Sequence, residues 1–212
     1  MIKAVIFDMD GTMFDTEKLW GTVTRELAGK YGVVWDESVR TQMMGKKDSE
    51  ALFVMKEYFK MSVSVEELIA VRRDMIMNDL SLVGMNEGLV ELLDLLEERG
   101  IMKAIATSSF REFTEKLIAQ FRLGNRFEVI VTGDDVLVSK PDPTMFLKAA
   151  ELLGVPSQEC LVLEDAQNGV EAAHNARMKV YAIPHDASRH HDFSKADKVL
   201  ESMREIHEDL LQ

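Results

Sequence analysis

Four short apolar runs rich in valine and isoleucine punctuate the chain: Ala4 to Phe7, Lys103 to Ala106, Val129 to Val131 and Leu161 to Leu163, with a weaker fifth at Val180 to Ile183. Runs of this length and composition predict strands buried on both faces. Between them apolar positions recur at helical spacing. Leu89, Leu92, Leu93 and Leu96 form one stripe, closed by Gly100, and Phe146, Leu147, Ala150 and Leu153 form another, closed by Gly154. Strands alternating with helices predict an α/β fold built on a parallel, doubly wound sheet. Such sheets bind ligands beyond the carboxyl ends of their strands, so the residues that follow each run carry the functional information.

Residues 15–82 break the alternation. They hold three helical patterns (Leu19, Val23, Leu27; Leu52, Met55, Phe59; Leu68, Val71, Met75) with no convincing strand between them. A small all-helical domain inserted after the first strand is expected here, with residues 1–14 and 83–212 forming the core. An insert that leaves and rejoins the chain at that point should cap the carboxyl end of the first strand.

Composition narrows the partners. The 212 residues are 46% hydrophobic, enough for a full core, and 25 basic against 37 acidic side chains give a formal charge of -12. No Lys/Arg block offsets that charge, so a nucleic-acid backbone or an anionic membrane surface is excluded as a partner. A small anionic substrate is not excluded, because one lysine and a metal ion can reverse the field inside a cleft. Cys160 is the single cysteine, which rules out an internal disulfide and a thiolate metal cage and points to a reducing compartment. The apolar run at the N-terminus is too short for a signal peptide and no segment approaches a membrane span, so a cytoplasmic protein is expected. A monomer is the default, since no interface signature is legible. The fourteen methionines are expected as filler in the core and at the hinge of the insert.

The chemistry lies at the strand ends. After the first run comes Asp8-Met9-Asp10-Gly11-Thr12: two acids spaced i, i+2 beside a Gly-Thr turn, which lets the backbone approach a ligand closely. A solvated acidic loop is the competing reading. The second run ends in Ala106-Thr107-Ser108-Ser109, hydroxyls where phosphoryl oxygens would need donors, or else an ordinary helix cap. After the third run, Ser139-Lys140-Pro141-Asp142-Pro143 stiffens the chain around one lysine, a type more often found solvated. The fourth run ends in Glu164-Asp165, a pair suited to a hard cation, though acids at a helix start also answer to the dipole. Together the four signals reinforce one another, since each falls on the edge where these sheets build sites. Crowded carboxylates would repel each other and a phosphate unless Lys140 and a divalent cation neutralised them, and Mg2+ is the economical choice.

With these residues in order, the chain resembles the haloacid dehalogenase superfamily, whose motifs run DxDGT, a Thr or Ser closing strand two, a Lys, and paired acids. The resemblance spans essentially the whole chain and is nearest to the branch with a helical cap after the first motif, which holds sugar-phosphate phosphatases and beta-phosphoglucomutases. It implies a Rossmann-like core with Asp8 as nucleophile and Asp10 as general acid and base. It also implies Mg2+ held by Asp8, the Asp10 backbone carbonyl and Asp165, with Glu164 ordering a metal-bound water. Thr107 and Lys140 would hold phosphoryl oxygens, and Gly11 would lend backbone N–H groups. The substrate would be a small phosphorylated metabolite, met also by Thr16, Trp20, Lys46, Lys47, Ser108 and Ser109. Asp10 argues against dehalogenases, which usually lack this second acid, and against phosphonatases, which carry a small residue there.

Within that branch the mutases place a His shortly after the first motif and an Arg in a Gly-containing cap loop. Here those stretches read Asp15-Thr16-Glu17-Lys18-Leu19-Trp20 and Gly45-Lys46-Lys47-Asp48, so Trp stands for His and Lys for Arg. This favours a phosphatase, with a phosphotransferase of the mutase type as the alternative. Trp20 has a second reading as simple core, and Lys46 and Lys47 as surface charge. The five histidines, His185 and the His190-His191 pair among them, lack ligand spacing with acids and are expected in solvated loops. A phospho-receiver domain would share the residue types but not their order. A silent homologue acting as a phosphate-binding regulator would not need every catalytic position intact.

Overall fold

In chain order the elements are β1 (Ala4–Phe7), β2 (Phe14–Asp15), α1 (Glu17–Lys30), α2 (Glu37–Met43), α3 (Asp48–Phe59), α4 (Val65–Asn78), β3 (Gly84–Met85), α5 (Leu89–Glu98), β4 (Met102–Ala106), α6 (Arg111–Gln120), β5 (Val129–Val131), α7 (Thr144–Leu153), β6 (Cys160–Glu164), α8 (Gln167–Asn175), β7 (Lys179–Ala182) and β8 (Lys198–Val199). They are taken from a computed structural model that describes residues 1–44 and 46–211, the side chain of Thr41 excepted.

Six strands form one parallel sheet in the order β5-β4-β1-β6-β7-β8. β1 lies inside it, paired with β4 from Ala4–Met102 to Phe7–Ile105 and with β6 from Ala4–Cys160 to Phe7–Leu163. The period of two sorts each strand between two cores. Val5 and Phe7 of β1, Ile105 of β4 and Leu161 and Leu163 of β6 join one cluster, while Ala4, Ile6, Ala104, Cys160 and Val162 join the cluster on the opposite face. That two-sided burial is what produced near-continuous apolar runs in the sequence. β8 was not legible there, because two exposed residues carry no periodicity.

Between β2 and β3, α1 to α4 surround a third core of Leu27, Val39, Leu52, Met55 and Leu68. α2 is the one of these helices that the periodicity missed; it begins at Asp36, whose side chain accepts the Ser38 N–H at 2.9 Å. α4 likewise starts on Ser64, which accepts the Glu67 N–H. The helices are not detached from the sheet. Leu19 and Val23 at the start of α1 and Ile76 at the end of α4 pack into the sheet-side core. The two passages of the chain between sheet and helices run antiparallel as β2 and β3, with Phe14 opposite Met85 and Asp15 opposite Gly84. Among the described residues, no helix is long and apolar enough to cross a membrane.

Candidate active site

The carboxyl ends of β1, β4 and β6 converge on one buried cluster. Asp8 follows β1 directly, and its N–H continues the ladder to Leu163 O at 2.9 Å, which fixes where its side chain leaves the sheet. Lys140 reaches it from the loop after β5. The ammonium donates to Asp8 Oδ1 at 2.5 Å, to Glu164 Oε1 at 2.7 Å and to the Ala106 carbonyl at 3.2 Å, and it lies 4.8 Å from the centre of the Phe146 ring. All three charged groups are at least nine-tenths buried. The second oxygen of Glu164 accepts the N–H groups of Asp165 and Ala166, both at 2.9 Å.

Asp165 adds the third acid: oxygens of Asp8, Glu164 and Asp165 lie within 4.8 Å of one another. Gly11 sits against it with φ of +83°, where a Cβ would stand 2.6 Å from Asp165 Oδ2. Glycine is required there on both counts. The Asp10 side chain turns instead toward β4 and α1. Its Oδ1 accepts from Trp20 Nε1 at 2.7 Å, and its Oδ2 from Ser109 Oγ at 2.7 Å and Thr107 Oγ1 at 3.2 Å. Thr107 Oγ1 in turn accepts the Ser109 N–H at 3.0 Å.

The electrostatics follow from burial. Desolvation pushes the Asp8 carboxyl well above the usual carboxylate range; Lys140 opposes this, while Glu164, Asp165 and Asp10 add to it. Burial lowers the Lys140 pKa, and Asp8 and Glu164 more than reverse that, leaving the ammonium firmly charged. Asp165 is pushed up to about 6, chiefly by burial, with His185 opposing and Glu164 adding. One lysine therefore faces three buried carboxylates. That surplus of negative charge, presented by oxygen donors alone, is the environment a hard divalent cation satisfies, so the residues present fit magnesium.

A cavity of about 140 Å³ opens above the cluster, between the sheet edge and the helices. Asp8, Asp10, Gly11, Thr16, Trp20, Lys46, Thr107, Ser108, Ser109, Lys140, Glu164 and Asp165 all line it. Lys47 is not among its lining residues, because its ammonium donates to carbonyls of the loop after β5. Gly45 lies outside the described residues. Trp20 unites its two readings: its ring packs edge-on to Phe113 at 5.3 Å while its N–H serves Asp10.

Sequence reasoning missed three contributors. His185, expected in a solvated loop, instead places Nε2 2.9 Å from Asp165 Oδ2; burial lowers its pKa, but Asp165, with Asp15 and Asp186 adding, leaves it above the ordinary value. The spacing of 20 residues hid this pair, since only the β6-β7 pairing brings them together. Asn86 donates to the carbonyls of Gly11 at 2.7 Å and Thr12 at 2.8 Å, holding the turn after β1 from 74 and 75 residues away. Arg72 of α4 lines the cavity, with its guanidinium 4.6 Å from the centre of the Trp20 ring and paired to Asp48 at 3.1 Å. No local signal marked either residue.

A family model described as haloacid dehalogenase-like hydrolase matches residues 5–183. The phosphorylated carbohydrates phosphatase of Thermotoga maritima is 32% identical over 188 residues, spanning 87% of this chain and 86% of its own. The (DL)-glycerol-3-phosphatase 1, mitochondrial, of Arabidopsis thaliana is 36% identical over 210 residues, 95% of this chain and 70% of its own. CbbY from Rhodobacter sphaeroides, solved in complex with xylulose-(1,5)bisphosphate, superposes with a TM-score of 0.89 at 26% identity, covering 97% of this chain and 96% of that one.

Proposed function

The chain belongs to the haloacid dehalogenase-like hydrolase family, and on that premise we propose that it hydrolyses phosphate monoesters of small metabolites, sugar phosphates foremost, through a phosphorylated Asp8. The observation that carries this reading is the buried Asp8-Lys140-Glu164 arrangement at the carboxyl edge of β1. A carboxylate is a weak nucleophile when solvated, and here an ammonium at 2.5 Å opposes the burial that favours the neutral acid.

In this mechanism an Asp8 oxygen attacks phosphorus in line and the ester oxygen leaves as Asp10 protonates it. Asp10 then takes a proton from water as that water attacks the phosphorylated Asp8, which regenerates the carboxylate and frees phosphate. Lys140 and the Thr107 hydroxyl hold equatorial phosphoryl oxygens, with Ser108, Ser109 and the backbone at Gly11 as further donors. Asp8 and Asp165 side chains and the Asp10 carbonyl would hold magnesium, with Glu164 beside them. The cation would supply the positive charge that three buried carboxylates and an incoming phosphate demand. Residues 1–14 and 83–212 are the catalytic unit in this reading, and residues 15–82 the cap, whose Thr16, Trp20 and Lys46 meet the leaving group. Sugar phosphates are supported by the relatives' names. A cytoplasmic monomer completes this reading.

The test is phosphate release with magnesium from phosphorylated sugars, glycerol phosphate, nucleotides and p-nitrophenyl phosphate, with Asp8→Asn as control and beta-glucose 1-phosphate isomerisation followed in parallel. Multiple turnovers that vanish on chelation and in the variant are expected. Isomerisation outrunning release would make the enzyme a mutase, and neither activity in folded protein would overturn the catalytic reading.

A further inference from the structure

Consecutive residues at the start of α3 serve different partners. Lys46 lines the cavity. Lys47, the capping residue of α3, donates its backbone N–H to Ser139 Oγ at 3.2 Å and its ammonium to the carbonyls of Val136, at 3.4 Å, and Leu137. Asp48 takes Arg72 at 3.1 Å and Arg73 at 2.9 Å, and Arg73 reaches on to Asp134 at 3.0 Å. Glu50, in the first turn of the helix, accepts the Ser139 N–H at 3.3 Å. Lys47 and Glu50 reach residues 136–139 and Arg73, which also holds Asp48 and lies 4.3 Å from the centre of the Phe110 ring, reaches Asp134, so three side chains meet the segment that delivers Lys140.

Burial holds that segment at its start, where Val136 packs into the core on one face of the sheet, but not at the two residues after it. Leu137 is 91% and Val138 53% exposed, so two of the four residues between Asp135 and Lys140 contribute little apolar contact. Yet Ser139 and Lys140 are buried, and the ammonium must stay within hydrogen-bond reach of both Asp8 and Glu164. Segments with few buried contacts open readily unless polar contacts tie them down. The ties come from the core at either end, where Lys148 Nζ holds the Asp135 carbonyl and Asp142 N–H holds that of Ser139. In the middle they come from α3.

We propose that Lys47 and Glu50 are positioning residues for Lys140: α3 clasps residues 136–139 and thereby sets the ammonium beside Asp8. Lys46, next to the Lys47 cap, lines the cavity, so contact with a leaving group and placement of Lys140 fall to adjacent residues. This rests on Lys140 being a catalytic group; it requires no particular substrate.

The test uses full-length protein with Lys47→Met, Glu50→Gln, Ser139→Ala and the conservative Lys47→Arg. Two quantities are read: amide hydrogen exchange of residues 134–140 without ligand, and kcat and KM for p-nitrophenyl phosphate, which lacks a sugar for the cavity to grip. Lys47→Met and Glu50→Gln are expected to speed exchange in that segment and to lower kcat about 10- to 100-fold with KM nearly unchanged, the scale of a small misplacement of a catalytic group. Lys47→Arg should restore both, since a guanidinium can still donate to two carbonyls. Should Lys47→Met fail to fold, Ser139→Ala, which removes one acceptor and leaves the helices untouched, decides by the same readings. Unchanged exchange, unchanged kcat, a change in KM alone, or a loss that Lys47→Arg does not repair overturns the proposal. If wild-type protein releases no phosphate at all, that failure counts against the phosphatase reading, and the exchange measurement alone decides the clasp.

Discussion

Lys140 holds two buried acids at 2.5 and 2.7 Å, and nothing else charged in the described cluster neutralises them. Removing it leaves both uncompensated. In chelator at pH 8, Lys140→Met is expected to lose about 3–5 kcal/mol in urea unfolding, and adding Asp8→Asn should return part of that loss, since one stranded charge then disappears. Asp10→Asn should fold normally and lose about 10²–10⁴ in kcat, the usual worth of a placed general acid. Cys160 offers a check on burial away from the site. Desolvation first, and the neighbouring Glu159 charge second, push its thiol up to about 11, so at pH 8 roughly one molecule in a thousand carries the reactive thiolate. Disulfide reagents at pH 8 should leave native protein unmodified for hours and react at once in urea, with native reactivity emerging only as pH rises toward the thiol's pKa.

Among the elements, α8 carries the tightest constraint. Gly169 in its first turn faces the Glu164 carboxylate so closely that a Cβ would overlap both carboxylate oxygens. Gly169→Ala must therefore displace either the helix or a member of the acidic cluster. We expect a stability loss of about 1–3 kcal/mol, typical of overpacking, together with weakened magnesium binding. Gly124→Ala, at a glycine with open space around it, should be neutral in the same denaturation and titration measurements. The β2-β3 pair acts at the same scale. Because Asn86, one residue beyond β3, holds the carbonyls of Gly11 and Thr12, the chain's return from the helices braces the turn that follows Asp8.

At the scale of the whole molecule, two cores sandwich the sheet and a third lies among the helices, with the cavity between them. In the proposed function the cluster beneath that cavity gives the native state an affinity for divalent cations that the unfolded chain lacks. Magnesium at a hundredfold excess over its dissociation constant should add about 2.7 kcal/mol, seen as a raised melting temperature that Asp165→Asn abolishes. Much of this design is written locally. β1, β4, β5 and β6 were legible because a strand buried on both faces must be apolar throughout, and Asp8, Asp10, Thr107, Lys140, Glu164 and Asp165 because each stands at the carboxyl end of such a strand or in the loop that follows it. α2 and β8 were not, being too short or too exposed to leave a period. His185, Asn86 and Arg72 entered the site only through pairings 20 or more residues apart, and Lys47 left the cavity for the Lys140 loop for the same reason. Motif spacing thus singled out the residues to which the proposed chemistry is assigned. Which side chains hold them there was decided by packing, since the contacts that orient a buried charge come from whatever elements the fold brings against it, wherever they lie in the chain.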